Sequence, residues 1–112
     1  MKILLTGAQG NLGSHIVKHC THEIVPVFRE DWPIIGDLLQ GVDIVVHAAY
    51  DLKSKLFEHP HSVLDSNLMS TIRLLETIPK HQTVRLIFIS TCAVYGESSK
   101  TLEEQYCYPI SI

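Results

Sequence analysis

The sequence predicts an α/β fold, in which a doubly wound parallel sheet is covered by helices on both faces. Short apolar runs alternate along the chain with segments whose apolar residues recur at helical spacing. The first run, KILLTG, leads directly into glycines three residues apart in TGAQGNLG. Strands that alternate with helices pair in parallel through right-handed crossovers, so this order predicts one parallel sheet.

The first two strands flank a predicted helix. KILLTG is a continuous apolar run, typical of a strand buried on both faces. From Asn11 to about Cys20, Leu12, Ile16 and Cys20 are four apart and predict one apolar helical stripe. HEIVPVF predicts the second strand, and Pro26 within it indicates an edge or a bulge because proline cannot donate to a ladder.

The later segments continue the alternation. DWPIIGDLLQG predicts a short helix, with Asp31 as a candidate cap and Gly41 as its stop, and VDIVVHAA predicts a buried strand rich in β-branched residues. A further helix is predicted from about 62 to 77, before Pro79, and VRLIFIS is the last predicted strand. The apolar stripe of that helix comprises Val63, Leu64, Leu68, Ile72 and Leu75.

Composition narrows the class of protein. The 112 residues suffice for one domain, with 46% hydrophobic and 19% charged residues and a net charge of −3. No basic patch indicates nucleic acid, and the first apolar residues are too few to span a membrane, so neither partner is expected.

Cysteine and histidine usage predicts no metal site. The number of cysteines is odd, and no two of them have Cys-x-x-Cys spacing: they are Cys20, Cys92 and Cys107. This pattern favours a reducing, cytoplasmic setting. His15 and His19 are four apart, but we expect them on a solvated helix face.

The glycine turn predicts a phosphate site. A helix amino terminus offers unpaired N–H groups and the positive end of its dipole to an anion. Gly7 would form the tight turn, Gly10 would admit a pyrophosphate, and Gly13 would allow close packing of the helix on the strand. The spacing Gly-x-x-Gly-x-x-Gly differs from the commoner dinucleotide fingerprint, and a plain strand-to-helix turn is the alternative.

Four segments in order carry a family resemblance. TGAQGNLG resembles the cofactor turn of the extended short-chain dehydrogenase/reductase superfamily, which includes NAD-dependent epimerases and dehydratases. VVHAA resembles its fourth-strand motif, NLMSTIRLLE its central helix, and ISTCAVYG its segment with the catalytic Ser or Thr. The resemblance covers essentially the whole chain. It implies a Rossmann-like NAD(P)-binding domain over residues 1–112, with a sheet incomplete at its carboxyl end.

The resemblance also implies site residues. Thr91, with Ser90 as second choice, resembles the hydroxyl residue that hydrogen-bonds a substrate oxygen; the alternative for Thr91 is a strand-end hydroxyl bonded to the backbone. His47 would lie against the cofactor, although a histidine alone is more often a satisfied core residue, and Asn67 is either a supporting residue or an ordinary helix residue. The implied cofactor-binding residues are Gly7, Gln9, Gly10, Asn11, Leu12, Gly13, Arg29, His47, Ala48, Ala49 and Asn67.

The choice between NAD and NADP depends on the end of the second strand. An acidic residue there binds the ribose hydroxyls of NAD, whereas an arginine accommodates the phosphate of NADP. Phe28 occupies the expected position and is followed by Arg29, which favours NADP, while Asp31 keeps NAD open.

The Tyr-x-x-x-Lys pair of the family is absent from the 112 residues. Tyr95, Tyr106 and Tyr108 are followed four positions later by Ser99, Ile110 and Ile112. In the family, a segment like YPISI commonly stands immediately before the catalytic tyrosine. We therefore expect a truncated epimerase, dehydratase or reductase of nucleotide sugars, without hydride transfer by these residues alone.

Two other hypotheses remain open. The chain could be a complete, non-catalytic dinucleotide-binding or interaction module, in which an exposed sheet edge favours a homo-oligomer. It could also be a doubly wound domain without a cofactor, against which the glycine turn is the main evidence.

Overall fold

The computed structural model describes residues 1–50, 58, 60–80 and 82–90, and its centre is a four-stranded parallel sheet. The strands are paired in the order β2-β1-β3-β4. Their bounds are β1 Lys2–Thr6, β2 Glu23–Val27, β3 Ile44–His47 and β4 Arg85–Phe88. The predicted Rossmann-like parallel sheet is confirmed.

Helical segments connect each strand to the next. Helix α1, Asn11–His19, follows β1, and a 3₁₀ segment, Arg29–Ile34, continues into α2, Ile35–Leu38. Between β3 and β4 lie α3, Pro60–Val63, a π-helical segment, Leu64–Met69, and α4, Ser70–Thr77. In the ranges just given, no helix combines the length and apolarity needed to cross a bilayer.

The sheet has an apolar layer on each face, because successive residues of a strand point to opposite sides. In β1, Leu4 is fully buried on one face, and Leu5 is fully buried on the other. The larger layer, under α2 and α4, comprises Leu4, Val27, Ile35, Leu39, Val42, Val45 and Leu74. The layer under α1 comprises Ile3, Leu5, Ala8 and Val46, with Ile16 and Cys20 packed against it.

The predicted helix before β4 exists, but its predicted apolar stripe is wrong. Ser70 and Leu74 are the buried residues of α4, whereas Leu64, Leu68 and Leu75 are exposed. The π-helical segment, with its i→i+5 bonding, departs from the 3.6-residue period from which the stripe was predicted.

The stripe predicted on α1 is confirmed at Ile16 and Cys20, which pack on the sheet, and wrong at Leu12, which is exposed. Near the start of the helix, the buried residue is Gly13. Since Gly13 has no side chain, the helix can approach the β1 turn through that residue.

Polar contacts at the amino-terminal ends of the strands fix their register. Asp43 accepts the Lys2 N–H through Oδ2 at 2.8 Å, donates its own N–H to the Lys2 carbonyl, and accepts the Arg85 N–H. The Gln82 amide donates to the Leu39 carbonyl at 3.1 Å and to the Val42 carbonyl at 2.6 Å. These contacts align the amino-terminal ends of β1, β3 and β4. The carboxyl ends of the three strands therefore lie on the same side of the sheet.

The edge position predicted for the strand with Pro26 is confirmed. Among the described strands, β2 pairs with β1 alone. β4 forms the opposite edge of the described sheet, and all of its residues are exposed.

Candidate functional site

A cleft of about 560 Å³ opens at the carboxyl ends of the strands. The chain leaves β1 toward β2 on one side and later adds β3 on the other, which makes the β1/β3 junction a topological switch point. Ligands of open α/β sheets bind at such a point. The cleft is lined by residues 7–10, 27–29 and 48–50, by Trp32, and by four residues of the helix before β4.

Two glycines of the turn are required by the backbone that surrounds them. Gly7 has a φ of 72°, and a Cβ there would lie 2.7 Å from the carbonyl carbon of Ala48. A Cβ on Gly13 would lie 2.0 Å from the Gly7 carbonyl oxygen. Gly7 therefore permits contact with the β3 end, and Gly13 permits contact of α1 with the turn.

The third glycine has a single close neighbour. A Cβ on Gly10 would meet only the Gly7 carbonyl oxygen, at 3.2 Å. Gly10 is exposed, lines the cleft together with exposed Gln9, and is the N-cap residue of α1. The absent side chain enlarges the cleft, and a Cβ here would require the Gly7 carbonyl to shift by a few tenths of an ångström.

The amino terminus of α1 is suited to an anion. It has no side-chain cap hydrogen bond and no acidic residue in its first turn. Asn11 and Leu12 are exposed in that first turn, where their backbone N–H groups have no i−4 helical acceptor. The bare helix end fits a pyrophosphate, whose oxygens need such donors.

The residues at the end of β3 have two different positions: two of them form part of the cleft wall, and the side chain of the third is buried. Ala48 and Ala49 line the cleft, next to Gly7. His47 is 2% exposed, and its imidazole is hydrogen-bonded to Thr6 Oγ1 at 2.7 Å and to Thr71 Oγ1 at 2.9 Å. Its side chain is therefore a satisfied buried histidine, and burial lowers the pKa of its imidazole.

Sequence reasoning missed Thr6. Its side-chain oxygen is fully buried and accepts the N–H groups of Ala48 at 3.1 Å and Ala49 at 3.2 Å. A polar residue between an apolar strand and a glycine turn was the available signal, because a buried hydroxyl requires partners.

The far side of the cleft is formed after β2. Arg29 is exposed and lines the cleft, as does half-buried Trp32. Asp31 accepts the Phe28 N–H through Oδ2 at 2.9 Å. Asp31 therefore stabilises the start of the 3₁₀ segment from its third position, and the candidate cap predicted there is wrong, because the segment begins two residues earlier and Phe28 is its N-cap residue.

The helix before β4 contributes residues that the sequence did not indicate. Asp65 and Arg73 line the cleft and form an ion pair at 3.3 Å between Oδ1 and Nη2. Ser66 and Ser70 also line it. Asn67 is half-buried in the π-helical segment and is not among the lining residues; its carbonyl accepts the Thr71 hydroxyl at 2.8 Å.

Of the two candidate catalytic hydroxyls, the structure describes one. Ser90 is exposed two residues beyond β4, and the Ile89 N–H still bonds the His47 carbonyl at 3.1 Å. Ser90 thus lies beyond the carboxyl end of β4, and it is not among the residues that line the cleft. Thr91, and the rest of 91–112, lie outside the described residues.

The sheet order and the glycine turn define a Rossmann-like α/β protein with its cleft at the switch point. Over residues 3–111 the sequence matches the NAD dependent epimerase/dehydratase family, and the chain belongs to it.

Known proteins similar to the chain include epimerases of nucleotide sugars. It is 36% identical over 59 residues to the bifunctional UDP-glucose 4-epimerase and UDP-xylose 4-epimerase 1 of Pisum sativum, covering 52% of this chain and 17% of that protein. It is 26% identical over 128 residues to UDP-glucose 4-epimerase of Streptococcus mutans, covering 86% and 37%.

A solved structure extends this similarity. UDP-glucuronic acid 4-epimerase from Bacillus cereus in complex with NAD matches with a TM-score of 0.81 and 29% identity, covering 99% of this chain and 47% of that one. The chain therefore spans less than half the length of these relatives.

Proposed function

We propose that residues 1–112 form the NAD-binding part of an enzyme that acts on a nucleotide sugar, as an epimerase or dehydratase. The observation that carries this proposal is Gly10, which opens the uncapped end of α1 to the cleft. Membership of the family supports it, as do the NAD and the nucleotide-sugar names of the relatives. The cytoplasmic setting predicted from cysteine usage is compatible with it.

The described residues divide the binding task among them. The backbone N–H groups of Asn11 and Leu12 would hold the pyrophosphate, and Ala48 and Ala49 would bound the cofactor at the end of β3. NAD, when bound, supplies a reversible hydride acceptor. We propose that Ser90 or Thr91 hydrogen-bonds the substrate oxygen from the end of β4.

Binding is tested directly through Trp32, the single tryptophan of the sequence, which lines the cleft. NAD added to the purified protein is expected to change Trp32 emission saturably, whereas UDP-glucose alone is not expected to reproduce that change. Absence of saturable NAD binding by both fluorescence and calorimetry would overturn the proposal.

We propose NAD rather than NADP, because the similar epimerase structure contains NAD. The prediction that Arg29 favours NADP is not supported by that structure. Arg29→Ala is expected to change the Kd for NAD by no more than about fivefold, since an exposed charge contributes little without a phosphate to pair with. Lys18→Ala removes the same charge from the exposed end of α1 and serves as the matched control.

The two cofactors are compared by parallel calorimetric titrations of both variants. The wild-type protein is expected to bind NAD more tightly than NADP. Tighter NADP binding that is lost in Arg29→Ala but kept in Lys18→Ala would restore the assignment of NADP.

The alternative is a non-catalytic dinucleotide-binding module, which requires the glycine turn and the cleft but no Tyr-x-x-x-Lys pair. It predicts the same Trp32 response without turnover. Interconversion of UDP-glucose and UDP-galactose, or release of a 4-keto sugar, by the natural full-length protein would exclude it.

A further inference from the structure

The hydrogen bonds around His47 determine its protonation state. Thr6 Oγ1 accepts two backbone N–H groups, from Ala48 and Ala49, which occupies both of its lone pairs. The Thr6 hydroxyl hydrogen is then directed to His47 Nδ1, which must be unprotonated. At the other side of the ring, Thr71 donates its hydrogen to the Asn67 carbonyl and therefore accepts from His47 Nε2–H.

This network connects elements on three sides of the cleft. Thr6 ends β1 next to the glycine turn, Ala48 and Ala49 follow β3, and Thr71 lies in the first turn of α4. All of its described side-chain nitrogen and oxygen atoms that are fully buried have hydrogen-bond partners. The neutral Nε2–H imidazole is the form that satisfies every member.

We infer that His47 is a positioning residue for the dinucleotide cleft, which is correctly assembled only while its imidazole is uncharged. The inference rests on the proposed NAD-binding function for its link to affinity. A proton on Nδ1 would compete with the Ala48 and Ala49 N–H groups for the lone pairs of Thr6. One of those groups would then lose its acceptor, and the cleft wall beside Gly7 would move.

Within the part of the chain that the structure describes, the hydrogen-bond and ring partners of the His47 imidazole carry no charge. They are Thr6, Thr71, Trp32 and Phe88, of which none titrates. The elements that carry them have ionisable side chains elsewhere: Lys2 on β1, Arg73 and Glu76 on α4, Arg29, Glu30 and Asp31 on the 3₁₀ segment, and Arg85 on β4. Among the described residues, none of these has a hydrogen bond or ion pair with His47.

The sign of the pH effect follows from the neutral form being the one that binds. Burial lowers the pKa of His47. The affinity for NAD is therefore highest at neutral pH and decreases as the pH falls through that lowered value, below about 6.5. If the charged form does not bind, the Kd for NAD rises about tenfold per pH unit below it. His47→Asn, whose amide oxygen can accept from Thr6 and does not titrate, is expected to give a flat profile between pH 8 and 5.

A pair of variants at Thr6 tests the hydroxyl itself. Thr6→Val keeps the shape but removes the acceptor of two N–H groups, and is expected to weaken NAD binding about tenfold or more. Thr6→Ser returns the hydroxyl and is expected to restore most of the affinity. If the site had a merely structural role, the affinity for NAD would depend on the volume of the side chain at this position. The serine variant would then bind NAD more weakly than the valine variant.

A measurement on the wild-type protein without cofactor separates this inference from the proposed function. In ¹⁵N-labelled protein, the His47 nitrogen shifts should report the Nε2–H tautomer, and the Ala48 and Ala49 amide resonances should titrate with the same midpoint as the imidazole. An Nδ1–H tautomer would overturn the inference, as would Ala48 and Ala49 amide resonances that do not shift when the imidazole titrates. If these signals behave as expected but NAD does not bind at pH 8, it is the proposed function that fails.

Discussion

Gly13→Ala is expected to destabilise the fold by about 3 kcal/mol or more. The added Cβ would lie 2.0 Å from the Gly7 carbonyl oxygen and 2.8 Å from the Ala8 Cα, and both are backbone atoms that cannot rotate away. Alanine is intrinsically better than glycine inside a helix by about 1 kcal/mol, but this gain is too small to offset the clash. Urea unfolding followed by Trp32 emission measures the difference.

Gly36→Ala provides the matched control, because it makes the same change in another helix. A Cβ there would meet only the Thr77 Cγ2 atom, at 3.3 Å, and a side-chain methyl can shift by a few tenths of an ångström. We expect its free energy of unfolding to remain within about 1 kcal/mol of the wild-type value. Equal stability of Gly13→Ala and Gly36→Ala would show that α1 does not require close contact with the turn.

The parallel sheet could be predicted from the sequence because short apolar runs, such as KILLTG, alternate with helical segments. Such a run has no alternation to misread, and its end is marked by a turn residue. The roles of Gly7 and Gly13 could also be predicted, since the backbone at each position requires a residue without a side chain. The turn and the sheet thus follow from local rules.

The cleft wall from the helix before β4 could not be predicted in the same way. Apolar spacing assumes 3.6 residues per turn, and the π-helical segment breaks that assumption between Leu64 and Met69. Asp65 and Arg73 line the cleft, although nothing in their spacing indicated it. Their place on the cleft depends on how this helix packs on the rest of the protein, which apolar spacing does not express.

His47 illustrates a second limit. Its motif places it at a strand end beside the cofactor, and the strand end is where the structure has it. Its side chain, however, bonds Thr6 and Thr71 inside the protein. A motif fixes the position of a residue along the chain, whereas the direction of its side chain depends on partners that are 41 and 24 residues away.

Gly10→Val is expected to weaken NAD binding about 100-fold while leaving the protein folded. The residue has an extended backbone, φ −73° and ψ 174°, which valine adopts readily. Its Cβ would meet only the Gly7 carbonyl oxygen, at 3.2 Å, so a shift of a few tenths of an ångström in the turn accommodates it. The branched side chain would instead fill the space above the α1 amino terminus that a pyrophosphate needs. Loss of two charge-assisted hydrogen bonds of about 1.5 kcal/mol each corresponds to about 100-fold weaker binding.

A graded series distinguishes exclusion of the ligand from damage to the fold. Gly10→Ala adds a single methyl group and should weaken NAD binding less than Gly10→Val, with both variants unfolding in urea near the wild-type midpoint. Calorimetric titration with NAD provides the affinities. An unchanged Kd in the folded valine variant would mean that the turn is only a strand-to-helix connection, because a pyrophosphate on α1 could not avoid that side chain.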